Sequence, residues 1–276
     1  MSALTGKARS PEEDWLGTQH LRFERHGPIA ICVVDRPERR NALTPAMYFG
    51  IRRAVDVVNR DSRLSGLLIT GTGDVFISGG DLALDGYDDD WADLADLLAM
   101  DNVPFEAIRN SAKPTVCAVN GIAEGGGLMI ALMSDVTVAS ERAVFRAPEL
   151  FRGIADMNYA NVLPKQIGFA RARDMLFTGR RVTASEALDW GMISRVVPHS
   201  DLSEHSIQVL RECCYGAPRA RFDVKRAINA QYGSYDRMTM DLSLRDGEES
   251  AEGFRAFAER RAPSWIPEEI RPEGRL

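Results

Sequence analysis

The sequence predicts an α/β core with crossover connections, followed by a smaller helical region. Three observations lead there. Short apolar, strand-like runs alternate with helix-period stretches up to about residue 201, and such alternation implies crossover connections. From Leu202 onward the strand signals stop and three helical patterns follow. The chain has 276 residues, 45% of them hydrophobic, which suffices for one substantial core and an appended unit. The expected organisation is a flexible N-terminal segment over 1–18, the core over 19–201, and a helical region over 202–276 that packs on a core face or on another subunit.

LRFERHGPIAICVVD reads as two short strands around His26-Gly27-Pro28, a hairpin signal. Asp35-Arg36-Pro37 ends the second strand. Thr44 then caps a helix that has Pro45 at its first position. Met47, Ile51, Ala54, Val55 and Val58 give this helix one apolar face. Leu67 to Thr70 is a buried strand stopped by Gly71-Thr72-Gly73. A helical stretch runs from about Trp91 to Arg109, and Pro114 to Val119 is the next strand. It leads through Asn120 into a glycine run and another helix. Asp135 to Ala139 is a further strand. The closing helical patterns cover Leu202 to Tyr215, Pro218 to Tyr232 and about Asp236 to Arg261.

Composition narrows the partners. The chain carries 34 basic and 40 acidic residues, a formal charge of -6. It shows no basic stripe, which argues against a nucleic-acid partner. No apolar run is long enough for a signal peptide or a membrane span, so a cytoplasmic protein is expected. The four cysteines (Cys32, Cys117, Cys213 and Cys214) match neither a metal spacing nor a disulfide framework. They read as thiols in a reducing cytosol. The aspartate-rich stretch from Asp85 to Asp96 reads as a solvated, acidic helix start rather than a metal loop.

Two glycine turns raise a question of chemistry, because glycine costs roughly 0.5–1 kcal/mol relative to alanine inside regular structure. The first is GDVFISGGDL, from Gly73 to Leu82, in which Gly79-Gly80 follows a strand-like run. The second is Gly125-Gly126-Gly127, placed between a strand and a helix, where N–H groups are orphaned at the positive end of a helix dipole. Brought together, two such turns supply two backbone donors to one oxygen, as a thioester enolate or tetrahedral oxyanion requires. Tight turning or close helix packing is the competing explanation for each turn alone. Neither turn has G-x-G-x-x-G spacing, and there is no Gly-Lys-Ser/Thr phosphate loop. A third element is FRAPELFRG, where Glu149 sits between Pro148 and an apolar pair. Partial desolvation there raises a carboxyl pKa and suits a general acid or base. A surface glutamate at a helix start is the alternative.

Taken in order, GDVFISGGDL, VNGIAEGGGLMIALMSD and FRAPELFRGI resemble the enoyl-CoA hydratase/isomerase (crotonase) family. DRPERRNAL at 35–43, TGRRVTASEALDWGMISRVVP at 178–198 and the segment from Glu252 to Pro263 extend the resemblance over about residues 19 to 265. It implies a spiral core of repeated β-β-α units, a helical C-terminal region, and a homotrimer often paired into a hexamer. It implies an acyl-CoA substrate whose thioester carbonyl lies against the N–H groups of Gly80 and Gly126. Coenzyme A, as part of the substrate, then runs past Arg39 to Ala42 and past Ser78, Gly79, Gly80, Asp81 and Leu82. Arg39 and Arg40 meet its phosphates or form a solvated charge pair. The implied substrate- and CoA-binding set also includes Met129 and Pro148. No metal and no redox cofactor is expected.

The chain departs from the family pattern in two places. Typical hydratases hold a water between two glutamates. Glu149 matches one of them, but Met129 stands at the other position and cannot orient water as a carboxylate does. Glu124 lies five residues earlier, before the turn. In addition, Asp156 brings a second ionisable group near the acyl pocket, unless it serves only as the N-cap of the segment from Met157. A single base suffices to move a double bond. Isomerisation by Glu149, with help from Asp156 or Tyr159, therefore stands beside hydration. Dehydration, decarboxylation, C–C hydrolysis and non-catalytic acyl-CoA binding stay open.

Overall fold

A computed structural model describes residues 15–81, 104–233, 236–245 and 247–272. Most of the expected flexible segment, and the acidic stretch at 85–96, lie outside the described residues. Leu16 does not belong to a flexible segment, because it is fully buried, and the Trp15 ring meets Phe23 edge-on at 5.1 Å.

The chain opens with the predicted hairpin. Strands β1 (Leu21–His26) and β2 (Ile29–Val34) pair antiparallel, from Leu21 opposite Val34 to His26 opposite Ile29. Helix α1 (Pro45–Arg60) follows, and the Thr44 hydroxyl accepts from the Met47 N–H at 3.3 Å. Strand pairs then recur. They are β3 (Gly66–Gly71) with β4 (Val75–Ile77), β5 (Thr115–Val119) with β6 (Ile122–Glu124), and β7 (Val136–Ser140) with β8 (Val144–Arg146). Helix α2 (Pro104–Arg109) precedes the second pair, and α3 (Gly126–Met133) separates the second from the third. Each pair gives its first strand to a large sheet and its second to a small one. Both sheets therefore grow in parallel, and this is the repeated β-β-α spiral.

Helices α4 (Met157–Ile167) and α5 (Phe169–Thr178) come next, followed by β9 (Val182–Thr183), α6 (Ala184–Asp189) and β10 (Arg195–Val197). β9 closes the small sheet against β8, and β10 ends the large sheet against β7. The large sheet reads β1-β2-β3-β5-β7-β10 and the small one β4-β6-β8-β9.

Alternate residues of the large sheet serve two cores. Cys32, Val34, Leu67, Ile69, Cys117 and Val119 face the cluster that contains α1 and α3. Ile31, Val33, Leu68, Val116 and Val138 face Leu202, Val209 and Leu210 of helix α7 (Leu202–Cys213). Burial on both faces explains why β2 is apolar throughout rather than alternating. The helical region beginning at 202 thus starts by covering the sheet.

The remaining helices are α8 (Pro218–Ala230), α9 (Arg237–Arg245) and α10 (Glu248–Ala258). The pattern expected as one helix over Asp236 to Arg261 is two, because the chain turns at Gly247. That residue is extended, and a Cβ there would stand 2.2 Å from the Ser243 carbonyl oxygen. Helix α8 buries none of its own residues. Polar bonds hold it: Lys225 Nζ lies 2.9 Å from Asp135 Oδ2, and Asn229 and Arg109 exchange two bonds of 2.6 Å through each other's main-chain oxygens.

The loops that carry the first glycine turn are fixed by two asparagines. Asn41, fully buried, accepts the Arg36 N–H at 2.8 Å and donates to the carbonyls of Thr72 (3.0 Å) and Val75 (2.7 Å). Asn120 accepts from Gly71 N–H and donates to Gly73 and Val75. Asn41 also holds φ 55°, a left-handed conformation that asparagine tolerates better than most residues. Replacing it should leave buried backbone groups unpaired. Asn41→Ala is expected to lower stability in urea by about 2–4 kcal/mol with an unchanged m value. A loss below about 1 kcal/mol would mean that the loop is held by other contacts.

Candidate active site

The first glycine turn is strapped to the loop before α1. Leu43 N–H donates to Gly79 C=O, and Asp81 N–H donates to Leu43 C=O, both at 2.8 Å. This pairs Leu43 with Gly80 as in a parallel sheet, so the Gly80 N–H points away from Leu43. Gly79 has φ +108°, open to glycine and strained for other residues. Asp81 is fastened by the guanidinium of Arg36 at 2.6 Å, and both side chains are under a tenth exposed. Arg36 Nη1 also donates to Ala42 C=O at 3.1 Å.

The second turn uses its three glycines for three different reasons. Gly125 has φ +53°, and its N–H reaches Arg146 C=O at 3.2 Å. Gly126 begins α3, so its N–H has no intrahelical partner. A Cβ on Gly126 would stand 2.2 Å from the Tyr48 hydroxyl oxygen. A Cβ on Gly127 would stand 2.3 Å from the Ile77 carbonyl, so its bareness lets α3 pack onto β4. Every residue from Gly127 to Met133 is buried.

The two turns meet. A Cβ on Gly125 would stand 3.3 Å from Gly79 Cα and 3.1 Å from Glu149 Oε1. One on Gly79 would stand 3.5 Å from Glu124 C=O. Glu149 opens the 3-10 turn Glu149–Arg152 directly after Pro148. It is not a fully solvated glutamate, because its Oε2 is buried with no hydrogen-bond partner. Burial, and then the nearby Asp156, push its carboxyl pKa well above the usual range, with Arg152 pulling the other way.

Asp156 is the N-cap that the sequence offered as one reading, and it also lies near Glu149. Its Oδ1 caps α4, accepting the N–H groups of Asn158 at 2.8 Å and Tyr159 at 3.1 Å. Its carboxyl is nonetheless pushed up by burial and lies close enough to Glu149 to shift it. The helix it caps carries Tyr159, whose hydroxyl donates to Gly125 C=O at 2.5 Å. Tyr48 and Tyr159 complete a cluster of four ionisable groups. Both phenols are pushed upward by burial, with Glu149 and Asp156 adding to the effect. The shared environment favours the neutral form of each group.

The remaining candidates are placed as follows. Met129 is buried in α3, and its N–H donates to Gly125 C=O at 3.1 Å. Ser78 is half-buried between β4 and Gly79. Arg39 and Arg40 are exposed at the end of the 3-10 turn Pro37–Arg39. Leu82 lies outside the described residues. Two residues of this neighbourhood were not singled out from sequence, Arg36 and Tyr48. Tyr48 precedes Ile51 by three positions and Val55 by seven, so the helical stripe itself was the available signal. Among the described residues, no group of three or more His, Cys, Asp or Glu side chains is arranged to hold a metal ion. No helix there is long and apolar enough to cross a membrane.

Known proteins are similar to this chain over most of its length. The family model for enoyl-CoA hydratase/isomerase matches residues 24–268. A carnitinyl-CoA dehydratase from Salmonella arizonae is 33% identical, over 90% of this chain and 98% of its own length. An enoyl-CoA hydratase structure from Mycobacterium avium subsp. paratuberculosis superimposes with TM-score 0.72 at 27% identity, over 90% of this chain and 99% of its own. A monofunctional enoyl-CoA isomerase from M. smegmatis does so with TM-score 0.66 at 26% identity, over 81% and 98%. With its paired sheets, abutting glycine turns and this extent of similarity, the chain belongs to the enoyl-CoA hydratase/isomerase, or crotonase, family of acyl-CoA-processing enzymes.

Proposed function

We propose that this enzyme binds an enoyl-CoA thioester with its carbonyl oxygen between the N–H groups of Gly80 and Gly126, and that Glu149 shifts the double bond. The observation that carries this reading is the Glu149 carboxyl, with one buried oxygen unpartnered, beside the point where the two turns meet. The ionised carboxylate removes a proton from the substrate carbon that becomes conjugated with the thioester. The electron pair moves onto the carbonyl oxygen as an extended enolate. The carboxylic acid then returns the proton at a different carbon. Each backbone donor contributes about 2.7–4 kcal/mol as the oxygen gains charge. A raised pKa makes Glu149 a stronger base and a usable acid in the same cycle. This proton transfer requires neither an electron carrier nor a metal, since backbone dipoles hold the charge.

Met129 favours isomerisation over two-glutamate hydration, because a thioether cannot orient water as a carboxylate does. The second reading is reversible dehydration of a hydroxyacyl-CoA. It is favoured by Asp156, a second carboxyl held toward its acid form, which suits protonation of a leaving hydroxyl. Coenzyme A runs along Arg39 to Ala42 and Ser78 to Asp81 in either case. We assign the exposed apolar residues Val224, Ile228, Met238 and Leu242 of α8 and α9 to the interface of a homotrimer, itself paired into a hexamer. The free thiols Cys32, Cys117, Cys213 and Cys214 suit a reducing compartment, the cytoplasm.

Glu149→Gln keeps the side chain's shape and removes its acid–base function. Turnover across a panel of enoyl-CoA esters should fall about 10²–10⁴-fold, while acyl-CoA binding by calorimetry stays within about threefold of wild type. Turnover retained by this variant would remove Glu149 from the chemistry.

The same substitution should alter stability in a pH-dependent way. A carboxyl whose folded pKa is raised binds more protons in the folded than in the unfolded state. Its contribution to stability is therefore full below the ordinary glutamate value of about 4.3, and is lost as pH rises through the folded pKa. Glu149→Gln should melt above wild type at about pH 8 and match it near pH 4. An equal melting difference at both pH values would contradict the raised pKa.

A further inference from the structure

The hydroxyl of Tyr48 reaches both glycine turns. Its oxygen lies 2.2 Å from where a Gly126 Cβ would stand and 3.6 Å from that position on Gly80. Among the described residues, Gly80 and its two chain neighbours aside, it is the only heavy atom within 4 Å of the Gly80 position. The side chain is 4% exposed. Its ring is set edge-on to Phe105, with centroids 6.1 Å apart and planes at 87°. The backbone below it is fixed by the Thr44 cap, one turn earlier on α1.

A phenylalanine would fill the same space against Phe105 without burying a polar atom. The oxygen therefore has to be explained by what it meets at the two turns. The bare backbone of the two turns lies against it, and the carboxyls of Glu149 and Asp156 and the phenol of Tyr159 are near enough to act on it electrostatically. Burial and the two carboxyls keep the Tyr48 proton in place, so it acts as a neutral O–H donor rather than a phenolate.

We propose that the Tyr48 hydroxyl donates a third hydrogen bond to the thioester oxygen, beside the N–H groups of Gly80 and Gly126. This rests on the thioester reading above and adds a catalytic side chain to it. No proton is transferred to the oxygen. The O–H bond stays intact, and its hydrogen bond strengthens as the enolate charge develops.

Tyr48→Phe removes one oxygen and keeps the ring. The test compares the intact variant and wild type with two ligands: butanoyl-CoA, and S-butyl-CoA, which lacks the carbonyl oxygen. The variant is expected to bind butanoyl-CoA about tenfold more weakly and S-butyl-CoA within about twofold of wild type. The carbonyl stretch of bound ¹³C-labelled butanoyl-CoA should move to higher frequency, because the carbonyl is less polarised. On an enoyl-CoA that wild type turns over, kcat should fall about 10²-fold with a much smaller change in KM.

Equal weakening of both ligands would reassign Tyr48 to packing. An unchanged carbonyl band, or a kcat equal to or above wild type, would also overturn the proposal. Wild-type protein that binds neither ligand would overturn the thioester reading itself. A wild-type preference for the thioester that is undiminished in Tyr48→Phe would overturn the Tyr48 proposal alone.

Discussion

Two stretches of backbone lie against each other at the centre of this molecule because neither carries a side chain there. Gly79 and Gly125 come so close that a Cβ on the second would stand 3.3 Å from the Cα of the first. Both hold positive φ, so the approach has a conformational as well as a steric requirement. The rest of the architecture serves this contact. Parallel growth of the two sheets sets β4 beside β6, and those strands deliver the turns from the same side. Asn41 and Asn120 converge on the Val75 carbonyl and fix the approach to β4. Tyr159 fixes the other turn through Gly125 C=O.

The site also concentrates groups that a core would ordinarily exclude. Two carboxyls and two phenols share an environment that penalises charge. Asp156 has a structural reason to be there, as the cap of the helix that carries Tyr159. Glu149 has less compensation, since one of its oxygens is left without a partner. A protein keeps such an arrangement at a functional site while the surrounding structure supplies the stability. Here that support comes from a sheet buried on both faces, with α7 completing the second.

Much of this was legible from the residues. The hairpin, the Thr44-Pro45 helix start and the strands β3, β5 and β7 of the large sheet follow from periodicity and capping signals, which act locally, whereas β10 went unread. The two glycine turns and Glu149 could be picked out because each carries a residue that regular structure disfavours or that burial perturbs. The small sheet was less accessible, because strands of two or three residues such as β9 and β6 are too short to show a period. The packing of α7 depends on residues far away in sequence, and the break at Gly247 depends on contacts within the turn. Arg36 looked like a strand terminator, although its real partner is Asp81, 45 positions later. Tyr48 was hidden by its neighbours, since an aromatic on an apolar stripe looks like core until the atom that its hydroxyl meets is known.

The central claim is that backbone donors from two separate turns converge on one thioester oxygen. A crystal structure of the protein with a bound acyl-CoA tests it most directly. The carbonyl oxygen is expected about 2.7–3.2 Å from the backbone nitrogens of both Gly80 and Gly126. An oxygen bonded to only one of them, or an acyl group seated away from both turns, would contradict the account.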